Sequence, residues 1–410
     1  MNGEIITIGN EILIGETLDT NFTFIAKALR QVGVRVLWHT TVGDDGDKIC
    51  EALRLAISRA NIVVATGGLG PTPDDVTRKS LATVMDTQLV LNDEILERIK
   101  TRFMTRGLEM PPMNETQALV PRGATLIENK QGLAPGLFFE VGKARLFILP
   151  GVPFEMEQMM EDFVQPRLRE LKLGTIEELT IRTTGIPESA IAERLKEFSG
   201  KIEGFPVSFL PSVDGVDLRV TMASLPGTDT EKIKEKIRSA AREKLGDLIY
   251  GEGKVRMEEV VGGILSRQKR RLAVAESCTG GLISSRVTFV PGSSDYFERS
   301  VVSYSNRAKV ELLKVPEELI AQNGAVSDEV ARSMAEGIRK EAGVDLGLSV
   351  TGIAGPAGGS EEKPVGLVFL AVSSIHETRS EKHIFSGERR NIQRRAAQAA
   401  LDLLRRFLIS

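Results

Sequence analysis

A chain of 410 residues, 41% hydrophobic and 27% charged, has room for two or three domains of ordinary globular composition. Its formal charge of −3 and pI near 5.9 argue against a general nucleic-acid binder, which needs a basic excess. Two cysteines make no disulfide framework, and the three histidines lack a helical zinc spacing, so any catalytic metal falls to carboxylates.

Strands and helices alternate from residue 1 to about 170. Glu4–Ile8 reads as a strand, Asn21–Val32 as a helix, Val34–Thr41 as a strand, Lys48–Ala60 as a helix and Asn61–Thr66 as a third strand. Such alternation calls for right-handed crossovers and a parallel sheet covered on both faces. Leu137–Val141 and Ala144–Leu149 read as a hairpin turning at Gly142-Lys143. Residues 171–253 have another rhythm: strands at Glu178–Thr184, Pro206–Leu210 and Val216–Ala223, helices at Glu188–Phe198 and Glu231–Leu245. This is a small α+β unit, and Gly251-Glu252-Gly253 reads as a linker. Residues 254–410 return to α/β. Strands are expected at Leu272–Ala275, Val301–Tyr304, Leu346–Val350, Gly366–Ser373 and Glu381–Phe385, and helices at Met257–Arg267, Ser327–Lys340 and Asn391–Phe407.

Two glycine-rich turns follow apolar strands: Thr66-Gly67-Gly68-Leu69-Gly70-Pro71-Thr72-Pro73-Asp74-Asp75 and Glu276-Ser277-Cys278-Thr279-Gly280-Gly281. A strand that ends in such a loop and restarts as a helix exposes amides at the positive end of a dipole, which suits phosphate. An ordinary turn also accounts for the first, with Thr72 capping the next helix, Pro73 in its first position and Asp74 and Asp75 offsetting its dipole. Other strand ends keep it company. Gly9-Asn10-Glu11 and Gly15–Asn21 follow the first strand, and Leu149-Pro150-Gly151-Val152-Pro153 follows the last. A rim carrying glycine amides and carboxylates suits metal-assisted cleavage of a pyrophosphate. In the rear region Cys278 has no histidine in these motifs to activate it, which favours a packing role for the thiol. A serine activated by Lys309, on a helix beginning near Asn306, remains open.

These motifs, with Pro291-Gly292-Ser293-Ser294, Tyr304-Ser305-Asn306, Gly324-Ala325-Val326-Ser327, Thr351-Gly352-Ile353-Ala354-Gly355-Pro356 and Phe385-Ser386-Gly387-Glu388-Arg389, resemble the CinA family. The resemblance implies an α/β protein with a molybdopterin-binding-like doubly wound domain over 1–170 and a small KH-like α+β domain over 171–253. A C-terminal α/β deamidase domain over 254–410 completes it. It implies deamidation of nicotinamide mononucleotide without a cofactor. Ser294 would be the nucleophile, Lys309 the base helped by Tyr304, and Thr351 an oxyanion donor. Ser277, Thr279, Gly280, Gly281, Gly352 and Arg389 would bind substrate. For the front domain it implies ADP-ribose cleavage to AMP and ribose 5-phosphate with a divalent Mg, Mn or Co ion. Glu11, Asp19, Asp74 and Asp75 would handle the metal, and Asn21, Gly68, Gly70 and Thr72 the nucleotide. The alternative is a competence- or DNA-damage-associated accessory protein whose front domain only binds a pterin or nucleotide. The middle region lacks a Gly-x-x-Gly clamp with basic neighbours, so RNA binding is not expected. A cytoplasmic homodimer acting on small nucleotides, away from membranes, is the expected setting. No apolar run approaches the roughly 20 residues of a membrane span, and the first residues do not read as a secretory leader.

Overall fold

The structure, a computed structural model, describes residues 1–198, 200–202, 204–224 and 228–410. The chain divides into two compact units, residues 1–177 with 222–230, and residues 178–221 with 231–410.

In the first unit the strands are β1 (Asn2–Ile8), β2 (Arg35–Val42), β3 (Ile62–Thr66), β4 (Leu89–Leu91), β5 (Leu119–Pro121), β6 (Thr125–Ile127), β7 (Gly136–Val141) and β8 (Ala144–Leu149). Six form one sheet in the order β2-β1-β3-β8-β7-β6, and β4 pairs with β5 alone. β2, β1, β3 and β8 run parallel, while β7 and β6 are antiparallel, as the hairpin at Gly142 requires. β3 is buried along its whole length, and two apolar clusters cover the sheet's faces. The one charge inside β1, Glu4, is fully buried and held by two bonds from Arg59, at 2.8 and 2.7 Å. Burial of a carboxylate demands such a partner.

The second unit contains most of β9 (Thr175–Thr183) and β12 (Val216–Ser224), with β10 (Lys201–Ile202), β11 (Phe205–Pro211) and β13 (Ile249–Glu252), ordered β10-β11-β12-β9-β13. Gly251 and Glu252, expected as a linker, belong to β13, which pairs antiparallel with β9. The buried Tyr250 ring seats that segment as a strand. β14 (Leu272–Glu276), β15 (Phe297–Val302), β16 (Leu346–Gly352), β17 (Leu367–Ser373) and β18 (Thr378–Ile384) form the other sheet, ordered β15-β14-β16-β17-β18. The first three run parallel and the last two antiparallel.

Three of the differences from the sequence reading have a physical reason. β15 leaves the sheet at Val302, not Tyr304, because Ser305 caps the following helix, Asn306–Leu313, by accepting from the Ala308 amide at 3.1 Å. β18 begins three residues early, at Thr378; its polar start hides an edge strand whose register comes from β17. The helix after the front glycine turn is Thr77–Val84, so Thr72 does not cap it. Among the described residues no helix is long and apolar enough to cross a membrane.

Candidate active site

β14 is flanked by β15 on one side and β16 on the other, so the strand order reverses there. Such a switch point opens a crevice beyond the carboxyl ends of parallel strands. Glu276 ends β14 with its side chain fully buried. Its carboxylate accepts from the amides of Gly281 (3.0 Å), Ile283 (3.1 Å) and Ser284 (2.9 Å), and from the hydroxyls of Thr279 (2.7 Å) and Ser284 (2.5 Å). A buried anion is thereby placed on the N-terminus of the helix Leu282–Thr288, where the dipole favours it. The Ser277 amide donates to the Val350 carbonyl at 3.0 Å, tying the turn to the neighbouring strand.

Lys309 stands in the helix Asn306–Leu313 and is 1% exposed. Its Nζ donates to the Ser303 carbonyl at 2.7 Å and to Ser277 Oγ at 3.1 Å. Burial holds this amine below its ordinary 10.5, which favours the neutral, proton-accepting form. The neighbouring Cys278 thiol is also buried, and burial pushes it up to about 12, away from the reactive thiolate. A hydroxyl on a desolvated lysine is the arrangement of an activated serine nucleophile. At the rim, Arg389 donates to Tyr304 Oη at 2.8 Å and to the Gly355 carbonyl at 2.6 Å. Gln393, one turn further along the helix Arg389–Ile409, donates to the Cys278 carbonyl at 2.8 Å.

In the first unit three strand ends meet at Gly67. Its amide donates to the Leu149 carbonyl, and an added Cβ would overlap the Ile8 carbonyl. Thr66 Oγ1 donates to the Pro150 carbonyl at 2.7 Å. Arg78, buried on the helix Thr77–Val84, donates to the Leu69 and Gly70 carbonyls. Desolvation lowers its pKa, with Asp75 opposing. The amides of Gly68, Leu69 and Gly70 find no acceptor among the described residues. All three residues line a cleft of about 530 Å³ that also takes in Arg102 and Arg106. Arg102 is itself braced on the Gly132 and Lys130 carbonyls.

Family models match along nearly the whole chain. Residues 4–170 match a probable molybdopterin binding domain, 178–251 the damage-inducible protein CinA KH domain, and 254–408 the CinA C-terminal domain. A CinA-like protein of Gemmatimonas aurantiaca is 44% identical over 99% of this chain and 96% of its own length. Another, of Dictyoglomus thermophilum, is 42% identical over the full length of both. The chain belongs to the CinA family. A solved competence/damage inducible protein from Agrobacterium tumefaciens is 35% identical, covers 38% of this chain and 94% of its own, and has a TM-score of 0.37.

Several of the expected site residues sit in settings that differ from their expected roles. Ser294 lies exposed in a 3-10 turn, Ser293–Asp295, and the hydroxyl on Lys309 is that of Ser277. Thr351 is buried and spends its proton on the Ala325 carbonyl at 2.8 Å, so it is not poised for an oxyanion. The Thr279 hydroxyl and the Gly281 amide donate to Glu276, and the Gly280 amide to the Ser277 carbonyl, so these groups are already engaged within the turn. Gly352 is the last residue of β16, paired with Val368. Tyr304 is 61% exposed and meets Arg389, while the hydroxyl on Lys309 is Ser277's.

In the front domain Gly68 and Gly70 do face the cleft, but the carboxylates do not gather. Glu11 folds back over Gly9, and Asp19 caps the helix Thr20–Gln31 and meets His39 at 3.2 Å. Asp74 is exposed, and Asp75, which lines the same cleft, accepts from the Thr72 amide and hydroxyl. Asn21 donates to Thr66 and to the Gly151 carbonyl. Among the described residues no group of three or more His, Cys, Asp or Glu is placed to hold a metal, so the four acids do not form a preformed centre. Glu276, Gln393, Arg78, Arg102 and Arg106 were not singled out from sequence. Glu276 alone carried a signal, as a charged residue ending an apolar run immediately before the glycine turn.

Proposed function

We propose that the C-terminal domain hydrolyses the carboxamide of nicotinamide mononucleotide, with Ser277 as nucleophile. The observation behind this reading is the contact of Lys309 Nζ with Ser277 Oγ in a buried setting. The neutral amine takes the hydroxyl proton as Oγ bonds to the carboxamide carbon. It then hands that proton to the amide nitrogen, the C–N bond breaks and ammonia leaves. Water, deprotonated by the same amine, opens the resulting ester and releases nicotinate mononucleotide and free serine. The Ser303 carbonyl fixes the amine throughout. Arg389, with Tyr304 beside it, is the cation at the mouth suited to the phosphate. The match to the CinA C-terminal domain supports the assignment. The test is the full chain with nicotinamide mononucleotide and a chelator, following ammonia and nicotinate mononucleotide. Equal amounts of both are expected. No ammonia, or reversible loss of turnover on chelation, overturns the reading.

For the N-terminal domain we infer a phosphate-binding cleft with ADP-ribose as its substrate. Acceptor-free amides at Gly68, Leu69 and Gly70 share the cleft with the Arg102 and Arg106 guanidiniums, and this favours a diphosphate. A divalent ion would then arrive as part of the substrate complex, as magnesium commonly does with phosphates and one or two carboxylates. Release of AMP in the presence of Mg, Mn or Co supports this reading. Saturable binding of ADP-ribose without AMP release makes the domain a binding module instead.

A further inference from the structure

Within the second unit a pocket of about 260 Å³ shares no lining residue with the Ser277 site. Its wall carries four arginines, Arg182, Arg256, Arg286 and Arg394, against two carboxylates, Asp214 and Glu258. In the wall itself cations outnumber anions, while Asp217 and Glu259 pair with Arg182 and Arg256. The four are not equally committed. Arg286 is held by Glu258 at 2.7 Å and by Gln398 at 2.7 Å, and its side chain is 17% exposed. Arg182, 15% exposed, gives Nε to Asp217 and one terminal nitrogen to the Val255 carbonyl. Arg256 turns to Glu259 and is 44% exposed. Arg394 is 54% exposed, makes only a 3.6 Å ion pair with Asp214, and has no hydrogen bond among the described residues.

We propose that this pocket binds a small phosphate-bearing anion. The two largely buried guanidiniums of Arg182 and Arg286, pre-positioned by their own partners, form the inner wall. Arg394 at the mouth can leave its long pair with Asp214 to close on the ligand. Arginine matches phosphate oxygens in bidentate fashion, and partial desolvation strengthens each such bond. The volume suits phosphate, pyrophosphate or the phosphate end of a sugar phosphate, below the usual range for drug-sized ligands. The site is independent of the deamidase reading.

The experiment is calorimetric titration of the full chain with inorganic pyrophosphate, inorganic phosphate and ribose 5-phosphate. Arg394→Ala, Arg394→Lys and Arg389→Ala are titrated in parallel. Arg394→Ala is expected to weaken one binding event by about tenfold or more. Arg394→Lys should restore part of the loss, and Arg389→Ala should leave that event unchanged. Equal affinity for the three ligands assigns the site to the free anion, and preference for ribose 5-phosphate assigns it to a phosphorylated metabolite. An isotherm insensitive to Arg394→Ala overturns the proposal. So does a single-stranded oligonucleotide that binds more tightly than pyrophosphate through Arg394.

Discussion

The two glycine turns look alike as strings of residues, yet they are stabilised by opposite charges. The front turn is braced by a cation: Arg78 takes the Leu69 and Gly70 carbonyls and leaves the amides of Gly68, Leu69 and Gly70 open to a cleft. The rear turn is braced by an anion: the Glu276 carboxylate takes the amides of Gly281, Ile283 and Ser284. The buried carboxylate thus takes up the amides at the helix start in the rear turn. The rear turn serves to hold Ser277 against Lys309. A glycine loop therefore reads as a phosphate site only once its buried counter-charge is known.

That contrast can be broken by mutation, and the largest effect is expected at the base. Lys309→Ala should lower deamidation by about 10²- to 10⁴-fold with nucleotide binding kept, the scale of general acid–base catalysis. Retained turnover would remove lysine from the mechanism. Glu276→Gln presents an amide to five donors that face a carboxylate. It should cost about 3 kcal/mol of stability, read from denaturant midpoints, and lower deamidation as Ser277 loses its support. Arg78→Ala strands two carbonyls in the front turn and should cost about 2 kcal/mol while deamidation is unchanged. Asp75→Ala should cost only about 1 kcal/mol, since it removes an acceptor from the Thr72 turn.

The pH dependence separates the domains in another way. With Lys309 held below 10.5 by burial, the deamidase profile should rise on an acid limb as this amine loses its proton. Between the lowered folded value and 10.5 the unfolded chain binds the extra proton. Raising the pH through that window therefore favours the folded state. An acid limb placed at the ordinary lysine value would contradict the desolvated setting.

Much of the fold was legible because the apolar runs ending at Thr66 and Glu276 are fully buried strands, as their composition suggests. β18 and β13 were harder. A polar edge strand and a Gly-Glu-Gly segment take their structure from partners distant in sequence. At the site, Lys309 was readable as a candidate base, but the choice between Ser277 and Ser294 was not, since each is a serine in a short polar loop near glycine. Strand register brings Ser277 to the lysine: Glu276 pairs with Val302, so Ser277 follows β14 beside Ser303, the residue whose carbonyl holds Lys309. The arginine braces were invisible because a lone arginine on a helix carries no local sign of the carbonyls it will meet.

We propose that Ser277, not Ser294, is the nucleophile activated by Lys309. Ammonia release from nicotinamide mononucleotide by Ser277→Ala and Ser294→Ala, each in the full chain with folding verified, tests it most directly. Loss of nearly all activity is expected in Ser277→Ala and near-normal turnover in Ser294→Ala. Activity retained in Ser277→Ala and lost in Ser294→Ala would contradict it.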